Sequence, residues 1–286
     1  MTKHPARYAV IGHPISHSRS PAIHQAFAEQ FGISLSYERI DAPPDDFESV
    51  VSVFFESGGC GLNVTVPFKE RAWVLSEKHL SDRASLAGAV NTLWQAHGEI
   101  HGCNTDGVGL VRDLKRLQLM GPADRVLLLG AGGAARGVIG PLLDAGCTRL
   151  HIVNRTVERA TELVRTWSST NPESRDRLSA GGFDALAQDC SWDLVINATA
   201  TSLQGQALSL PEPLFGPEVA VYDMMYAAQP TDFLIHAQKA GVTRLADGLG
   251  MLVAQAAESF LIWHGVTPDI EPIVQTIRQQ MTTTVR

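Results

Sequence analysis

Short apolar runs alternate along the chain with stretches whose apolar residues recur every three or four positions, a pattern that predicts strands and helices in βα order. YAVIG reads as the first strand, and Ser20 and Pro21 read as the cap and first-turn residues of the helix PAIHQAFAEQF, which Gly32 closes. LSYERID, DDFESVVSVFFES, LNVTV and FKERAWVLSEK repeat the strand and helix unit. VNTLWQ and EIHGCNT flank His97 and Gly98 and predict a hairpin. Leu110, Val111, Leu114 and Leu117 then fall at helical spacing. Beyond them VLLLG begins a uniformly apolar strand of the kind buried on both faces, and further strands follow at RLHIVN, DLVINAT, VAVYDM and TRLAD. The segment STNPESRDRLSAGG is polar and reads as a mobile surface loop. The last long apolar helix is MLVAQAAESFLIWH.

This order predicts two α/β domains: residues 1–106, and residues 107–247 forming a doubly wound parallel sheet. Residues 248–286 are expected to return to the first domain. A chain of 286 residues is long enough for two such cores. The net charge of −7, with scattered basic residues, argues against nucleic acid as a partner. No apolar run reaches the roughly 20 residues that cross a bilayer, and the start MTKHPARYAVIG lacks the apolar centre of a signal peptide, so a cytoplasmic location is expected. Cys60, Cys103, Cys147 and Cys190 are far apart and predict reduced structural thiols. The pairs His13 and His17, and His97 and His101, are interrupted by Pro or Gly, so no metal site is expected.

The most informative motif lies in VLLLGAGGAARGVIG. Gly130, Gly132 and Ala135 have the spacing G-x-G-x-x-A between a buried strand and a helix. The first glycine permits a tight turn, the second lets the backbone approach a pyrophosphate, and the small third residue lets helix and sheet pack closely. Ala131, Gly133 and Ala134 complete this loop. About 20 residues further on, a carboxylate would select NAD by binding the ribose 2′-hydroxyl. The sequence there is NRTVER, with Asn154, Arg155, Thr156 and Arg159 in place of an acid. Guanidinium groups suit a 2′-phosphate, which predicts NADP.

A dinucleotide domain needs substrate groups from elsewhere in the chain. In LNVTVPFKE, Lys69 follows an apolar strand and a proline, and Asp106 follows the predicted hairpin. An aspartate there suits a helix cap. If the two side chains meet, Asp106 holds the Lys69 ammonium, which can then stabilise and protonate a carbonyl oxygen as hydride reaches the carbon.

At this point the chain resembles the shikimate dehydrogenase family over nearly its whole length. GHPISHSRSPAIH, LNVTVPFK, GAVNTL, GCNTDGVG, GAGGAAR, NRTVER, INATATSLQG, VYDMMYAAQPTDFL and GLGMLVAQAAESFLIWHG carry the resemblance in order. It implies an N-terminal substrate domain, a Rossmann-type NADP domain, and reversible NADPH-dependent reduction of 3-dehydroshikimate to shikimate in aromatic amino-acid biosynthesis. By the same resemblance Lys69 and Asp106 are the catalytic pair. Ser16 and Ser18 bind the substrate carboxylate with Tyr226 nearby, and Thr65, Asn91 and Gln255 hold ring hydroxyls. Gly248 and Met251 lie beside the nicotinamide; Thr199 is expected at the cofactor site because it lies at the end of a strand, where ligands of open parallel sheets are found. His13 stands where the family more often has asparagine, and INATATSLQG is longer than the commoner form. A monomer or homodimer acting on a small molecule is expected. The alternatives are a quinate- or NAD-preferring enzyme of the same family, and a catalytically silent NADP-binding regulator.

Overall fold

A computed structural model describes residues 5–188, 191–199, 210 and 214–283. The chain divides into two compact units, Met1–Gly109 with Val253–Ile273, and Leu110–Leu252 with Val274–Arg286.

The first unit begins with β1 (Ala6–Gly12), α1 (Ser20–Phe31), β2 (Leu35–Asp41), α2 (Phe47–Glu56) and β3 (Gly59–Val64). It continues with α3 (Lys69–Leu75), α4 (Asp82–Ala87), β4 (Thr92–Ala96), β5 (Glu99–Cys103) and the start of α5 (Asp106–Arg116). Its sheet has the order β2-β1-β3-β4-β5. β1 pairs in parallel with β2 and β3, whereas β3, β4 and β5 are antiparallel. The β4–β5 hairpin turns at His97 and Gly98, both at positive φ. Ile11, Phe47, Val51, Leu62, Phe68 and Leu93 form the centre of the core beneath it. Each such side chain contributes about 1.5–3 kcal/mol through burial.

Ser20 is the first helical residue of α1 rather than its cap, which is Arg19 without a capping side chain. The Ser18 hydroxyl instead accepts the Ser20 amide at 3.3 Å, doing the work expected of a cap one residue further along. Gly32 closes α1 in the left-handed conformation.

The second unit holds β6 (Arg125–Leu129), α6 (Gly133–Asp144), β7 (Arg149–Val153), α7 (Val157–Thr170), β8 (Leu178–Gly181) and β9 (Leu194–Asn197). β10 (Ala220–Asp223), α8 (Asp232–Lys239) and β11 (Arg244–Asp247) follow. The six strands are all parallel in the order β11-β10-β9-β6-β7-β8. Val126, Leu127, Leu128 and Leu129 are all fully buried, so β6 is covered on both faces, as its unbroken apolar run requires. The order reverses at β6, between β9 and β7, and in open sheets ligands bind outside the carboxyl ends of strands at such a point.

The mobile loop expected over 169–182 is instead ordered structure. α7 runs on to Thr170, a 3₁₀ turn covers Pro172–Arg177, and β8 extends the sheet beyond β7. Trp167 Nε1 donates to Ser174 Oγ at 3.2 Å, and Arg177 donates to Leu143 O at 3.1 Å. These anchors, the second of them 34 positions away in sequence, hold a segment whose own composition is that of a loop.

α9 (Leu249–His264) enters the first unit from Val253 onward, and α10 (Glu271–Thr283) follows. The return of all of 248–286 to the first domain is not what is found: Val274–Arg286 groups with the second unit. Arg278 explains this, because it donates to Ala227 O at 2.9 Å and pairs with Asp247. Among the described residues no helix is long and apolar enough to cross a membrane.

Candidate active site

In the first unit the turn after β3 places Lys69. Thr65 N–H donates to Ile11 O at 2.9 Å, and Phe68 N–H closes the turn on Thr65 O at 3.0 Å. The buried Phe68 ring stacks on Phe47 with centroids 4.6 Å apart, so the residue before Lys69 is anchored in the core. Lys69 then opens α3, and its carbonyl accepts Val90 N–H at 2.9 Å.

Lys69 Nζ lies 2.6 Å from Asp106 Oδ2, with the two side chains 30% and 16% exposed. Asp106 is free for this pairing because Asn104 Oδ1 accepts its backbone amide at 3.1 Å. The other Asp106 oxygen accepts Asn91 Nδ2 at 2.8 Å. Asn91 Nδ2 also lies 2.9 Å from Thr105 Oγ1 and 3.3 Å from Gln255 Oε1. Lys69, Asp106, Asn91 and Gln255 are thus brought together, drawn from α3, α5, the lead-in to β4, and α9. Gly109 makes room for Gln255. A Cβ at Gly109 would stand 2.7 Å from both the Gln255 amide nitrogen and its Cβ.

Ser16 and Ser18 lie on the loop after β1. His13 N–H donates to Val66 O at 3.1 Å, tying this loop to the turn that carries Thr65. Ser16 is exposed and Ser18 half-buried. Arg39 clamps the loop by donating twice to Ser18 O, at 2.9 and 2.6 Å. His13 pairs with Asp41 at 2.8 Å.

The remaining expected site residues lie in the second unit. Gly130 turns at φ +109°, and a Cβ there would press against Thr199 Cγ2 at 3.0 Å and Ala198 at 3.3 Å. Gly132 caps α6, and Gly132, Gly133 and Ala134 are exposed while Ala135 is fully buried. The loop therefore presents open backbone amides at a helix N-terminus and packs its small third residue inward. At the tip of β7, Asn154 Nδ2 donates to Thr156 O at 2.9 Å. The Arg155 and Arg159 side chains are exposed and make no hydrogen bond or ion pair among the described residues. Thr199 is held by Asn197 Oδ1, which accepts its amide at 3.0 Å and its hydroxyl at 2.7 Å. Gly248 N–H donates to Met225 O at 3.1 Å. Met251 is buried on α9 and Tyr226 half-buried after β10.

The sequence pattern did not single out several groups that hold these sites. Asn63, Thr92, Thr105 and Ser259 are buried around Asn91. Asn197 Nδ2 donates to Asp223 Oδ1 at 3.0 Å, and Asp223 also accepts Met225 N–H at 3.0 Å and Thr231 Oγ1–H at 2.6 Å. The available signal was a polar residue inside an otherwise apolar strand, such as Asp223 in VAVYDM.

Comparison with known proteins bears on the whole chain. Residues 10–93 match the family model of the shikimate dehydrogenase substrate binding domain, 115–204 that of shikimate / quinate 5-dehydrogenase, and 248–278 the shikimate 5′-dehydrogenase C-terminal domain. A protein of Bordetella petrii named shikimate dehydrogenase (NADP(+)) is 57% identical over 272 residues, 95% of each chain. The chain belongs to the shikimate dehydrogenase family. Among solved structures of similar fold, an Ael1 enzyme from Pseudomonas putida has a TM-score of 0.88 at 43% identity, over 95% of this chain and 97% of its own. Shikimate 5-dehydrogenase of Thermus thermophilus, in complex with NADP(H) and shikimate, has a TM-score of 0.82 at 34% identity, over 96% and 99%. Of the longer motif INATATSLQG in this shikimate dehydrogenase family member, residues 200–205 lie outside the described residues.

Proposed function

We propose that this protein is an NADP-dependent shikimate dehydrogenase, reducing 3-dehydroshikimate to shikimate reversibly in aromatic amino-acid biosynthesis. The observation that carries the reading is the 2.6 Å pair of Lys69 with Asp106, bridged by Asn91 to Gln255, in a chain 57% identical to a named NADP-dependent shikimate dehydrogenase. We further propose a small-molecule enzyme of the cytoplasm, working as a monomer or homodimer.

The second unit fits NADP. Gly130 has no space for a side chain, Gly132 to Ala134 leave backbone amides open, and Arg155 and Arg159 stand unpaired among the described residues, with no carboxylate at the β7 tip. Residues 130–135 would hold the pyrophosphate, with Thr199 beside them. Asn154, Arg155, Thr156 and Arg159 would hold the 2′-phosphate, and Gly248 and Met251 the nicotinamide. When bound, NADPH supplies the hydride that reduces the carbonyl carbon.

The chain's own residues do the rest. The Lys69 ammonium stabilises the charge growing on the carbonyl oxygen and donates its proton there; in the oxidative direction neutral Lys69 takes the hydroxyl proton. Asp106 fixes the ammonium's position, since a carboxylate at 2.6 Å restrains an otherwise flexible four-carbon stem. Thr65, Asn91 and Gln255 orient the ring hydroxyls. Ser16, Ser18 and Tyr226 receive the carboxylate, for which short hydroxyl side chains on a clamped loop offer donors at little entropic cost.

The test is the absorbance change at the NADPH band with shikimate and quinate, each offered with NADP and with NAD. Turnover of shikimate with NADP well above the other three combinations is expected. Preference for quinate or NAD would assign a different activity within the family, and no turnover with any pair would assign a binding protein.

A further inference from the structure

Beneath the Lys69 group lies a chain of buried side chains whose hydrogen bonds can be assigned a direction. Asn63 Nδ2 lies 3.2 Å from the backbone carbonyl of Asn91, a group that only accepts, so this atom is the amide nitrogen and Asn63 Oδ1 is the acceptor of Tyr37 O–H at 2.6 Å. Tyr37 remains a donor because burial pushes its pKa well above the usual 10. The second Asn63 amide proton reaches Ser259 Oγ at 3.0 Å. Ser259 Oγ is 2.7 Å from Thr92 Oγ1, which in turn lies 3.0 Å from Asn91 Oδ1. The orientation of Asn91 is settled independently, because its Oδ1 accepts Thr105 N–H at 2.9 Å and its Nδ2 must then face Asp106.

One assignment is consistent with every bond along this path, with the Ser259 proton on Thr92 at 2.7 Å rather than on the Gln255 carbonyl at 3.2 Å. Tyr37 donates to Asn63, Asn63 to Ser259, Ser259 to Thr92, Thr92 to Asn91, Asn91 to Asp106, and Lys69 donates to the other Asp106 oxygen. Asn63, Asn91, Thr92 and Ser259 are each at most 5% exposed, so water does not compete for the bonds among these four. Each donor is polarised by the bond it accepts, which strengthens the next bond along the path.

We propose that Thr92 and Ser259 are positioning residues for the reaction: through Asn91 they hold Asp106, and hence the Lys69 ammonium, in the geometry for proton transfer. This rests on the function proposed above. Thr92 acts on the proton-transfer step more than on substrate binding, because Asn91 keeps its bond from Thr105 N–H when the Thr92 hydroxyl is lost. Ser259 is the junction of the path, joining α9 to β3 and β4 by bonds to residues 196 and 167 positions away in sequence.

The test compares Thr92→Val, which keeps the side-chain volume and removes the hydroxyl, with Thr92→Ser, which restores it. Thr92→Val should lower kcat about tenfold, with KM for shikimate within about twofold and a larger solvent deuterium isotope effect on kcat; Thr92→Ser should recover most of the loss. A purely structural role would reduce the folded fraction and leave the isotope effect unchanged. If Thr92→Val does not fold, Ser259→Ala reads the same path from another element and should show the same split. Folded variants with kcat within twofold of the parent, or an unchanged isotope effect, would overturn the proposal. Lys69→Ala serves as the control: if it retains turnover, the underlying reading fails, whereas if it is inactive while the relay variants are normal, only the relay fails.

Discussion

The two candidate sites are made of different materials. In the first unit, side chains from α3, α5, α9 and the lead-in to β4 converge in one hydrogen-bond network, in which buried Asn91 bonds Asp106, Thr105 and Gln255 and Asp106 in turn holds Lys69. In the second unit, the site consists of exposed backbone at the start of α6 and solvated cations after β7. The difference follows from what each is asked to hold. A proton moves over a fraction of an ångström, so its donor must be fixed by rigid neighbours. A phosphate spreads its charge over several oxygens and tolerates long, mobile guanidinium stems, so strict placement matters only where the backbone itself approaches.

Substitutions can break this contrast. Beyond the loss of Lys69 itself, the largest effect is expected from Asp106→Ala, which removes the restraint on the ammonium; kcat should fall about a hundredfold in a steady-state assay with both substrates saturating. A change below threefold would mean that Lys69 is placed without Asp106. On the other side of the contrast, Arg155→Ala should raise KM for NADP about tenfold and leave KM for shikimate unchanged, as befits one exposed charge-assisted bond. An equal effect on NAD would show that Arg155 does not read the 2′-phosphate. Gly109→Ala should disturb the first site by crowding the Gln255 backbone, costing about 1–3 kcal/mol of stability by denaturant unfolding and raising KM for shikimate a fewfold.

A last effect, on stability rather than on turnover, concerns the foundations of the first site. His24 is fully buried, stacked on Tyr37 at 4.4 Å, and neither ring nitrogen has a hydrogen-bond partner among the described residues. Burial pushes its pKa from the ordinary 6.5 down to about 3. Between those values the unfolded chain binds a proton that the folded chain refuses, so stability falls as pH drops from 6.5 toward 3, by up to about 1.4 kcal/mol per pH unit. Half-buried His264, also shifted down by burial, acts in the same direction. Replacing His24 with Phe should flatten the pH dependence of the unfolding free energy over this range, and an unchanged slope would show that His24 does not contribute to it.

Much of the fold was legible because its signals are local. The apolar strands, the hairpin at His97–Gly98, the αL cap at Gly32 and the glycine loop each depend on a few consecutive residues. Lys69 and Asp106 were legible through their motifs, although they lie 37 positions apart. What escaped depends on distant partners. β8 forms from loop-like sequence because Leu143 and β7 anchor it, and α10 is divided between the units by Arg278. Thr92 and Ser259 each look like an ordinary small polar residue in an apolar element, and only the packing of β3, β4 and α9 gives them partners.

The central claim is that the Lys69 ammonium supplies the proton. The direct measurement is turnover of 3-dehydroshikimate by Lys69→Ala beside calorimetric binding of shikimate to the same variant. The expected result is kcat lower by about 10³-fold or more with affinity within a fewfold of the parent. Near-normal turnover would contradict it.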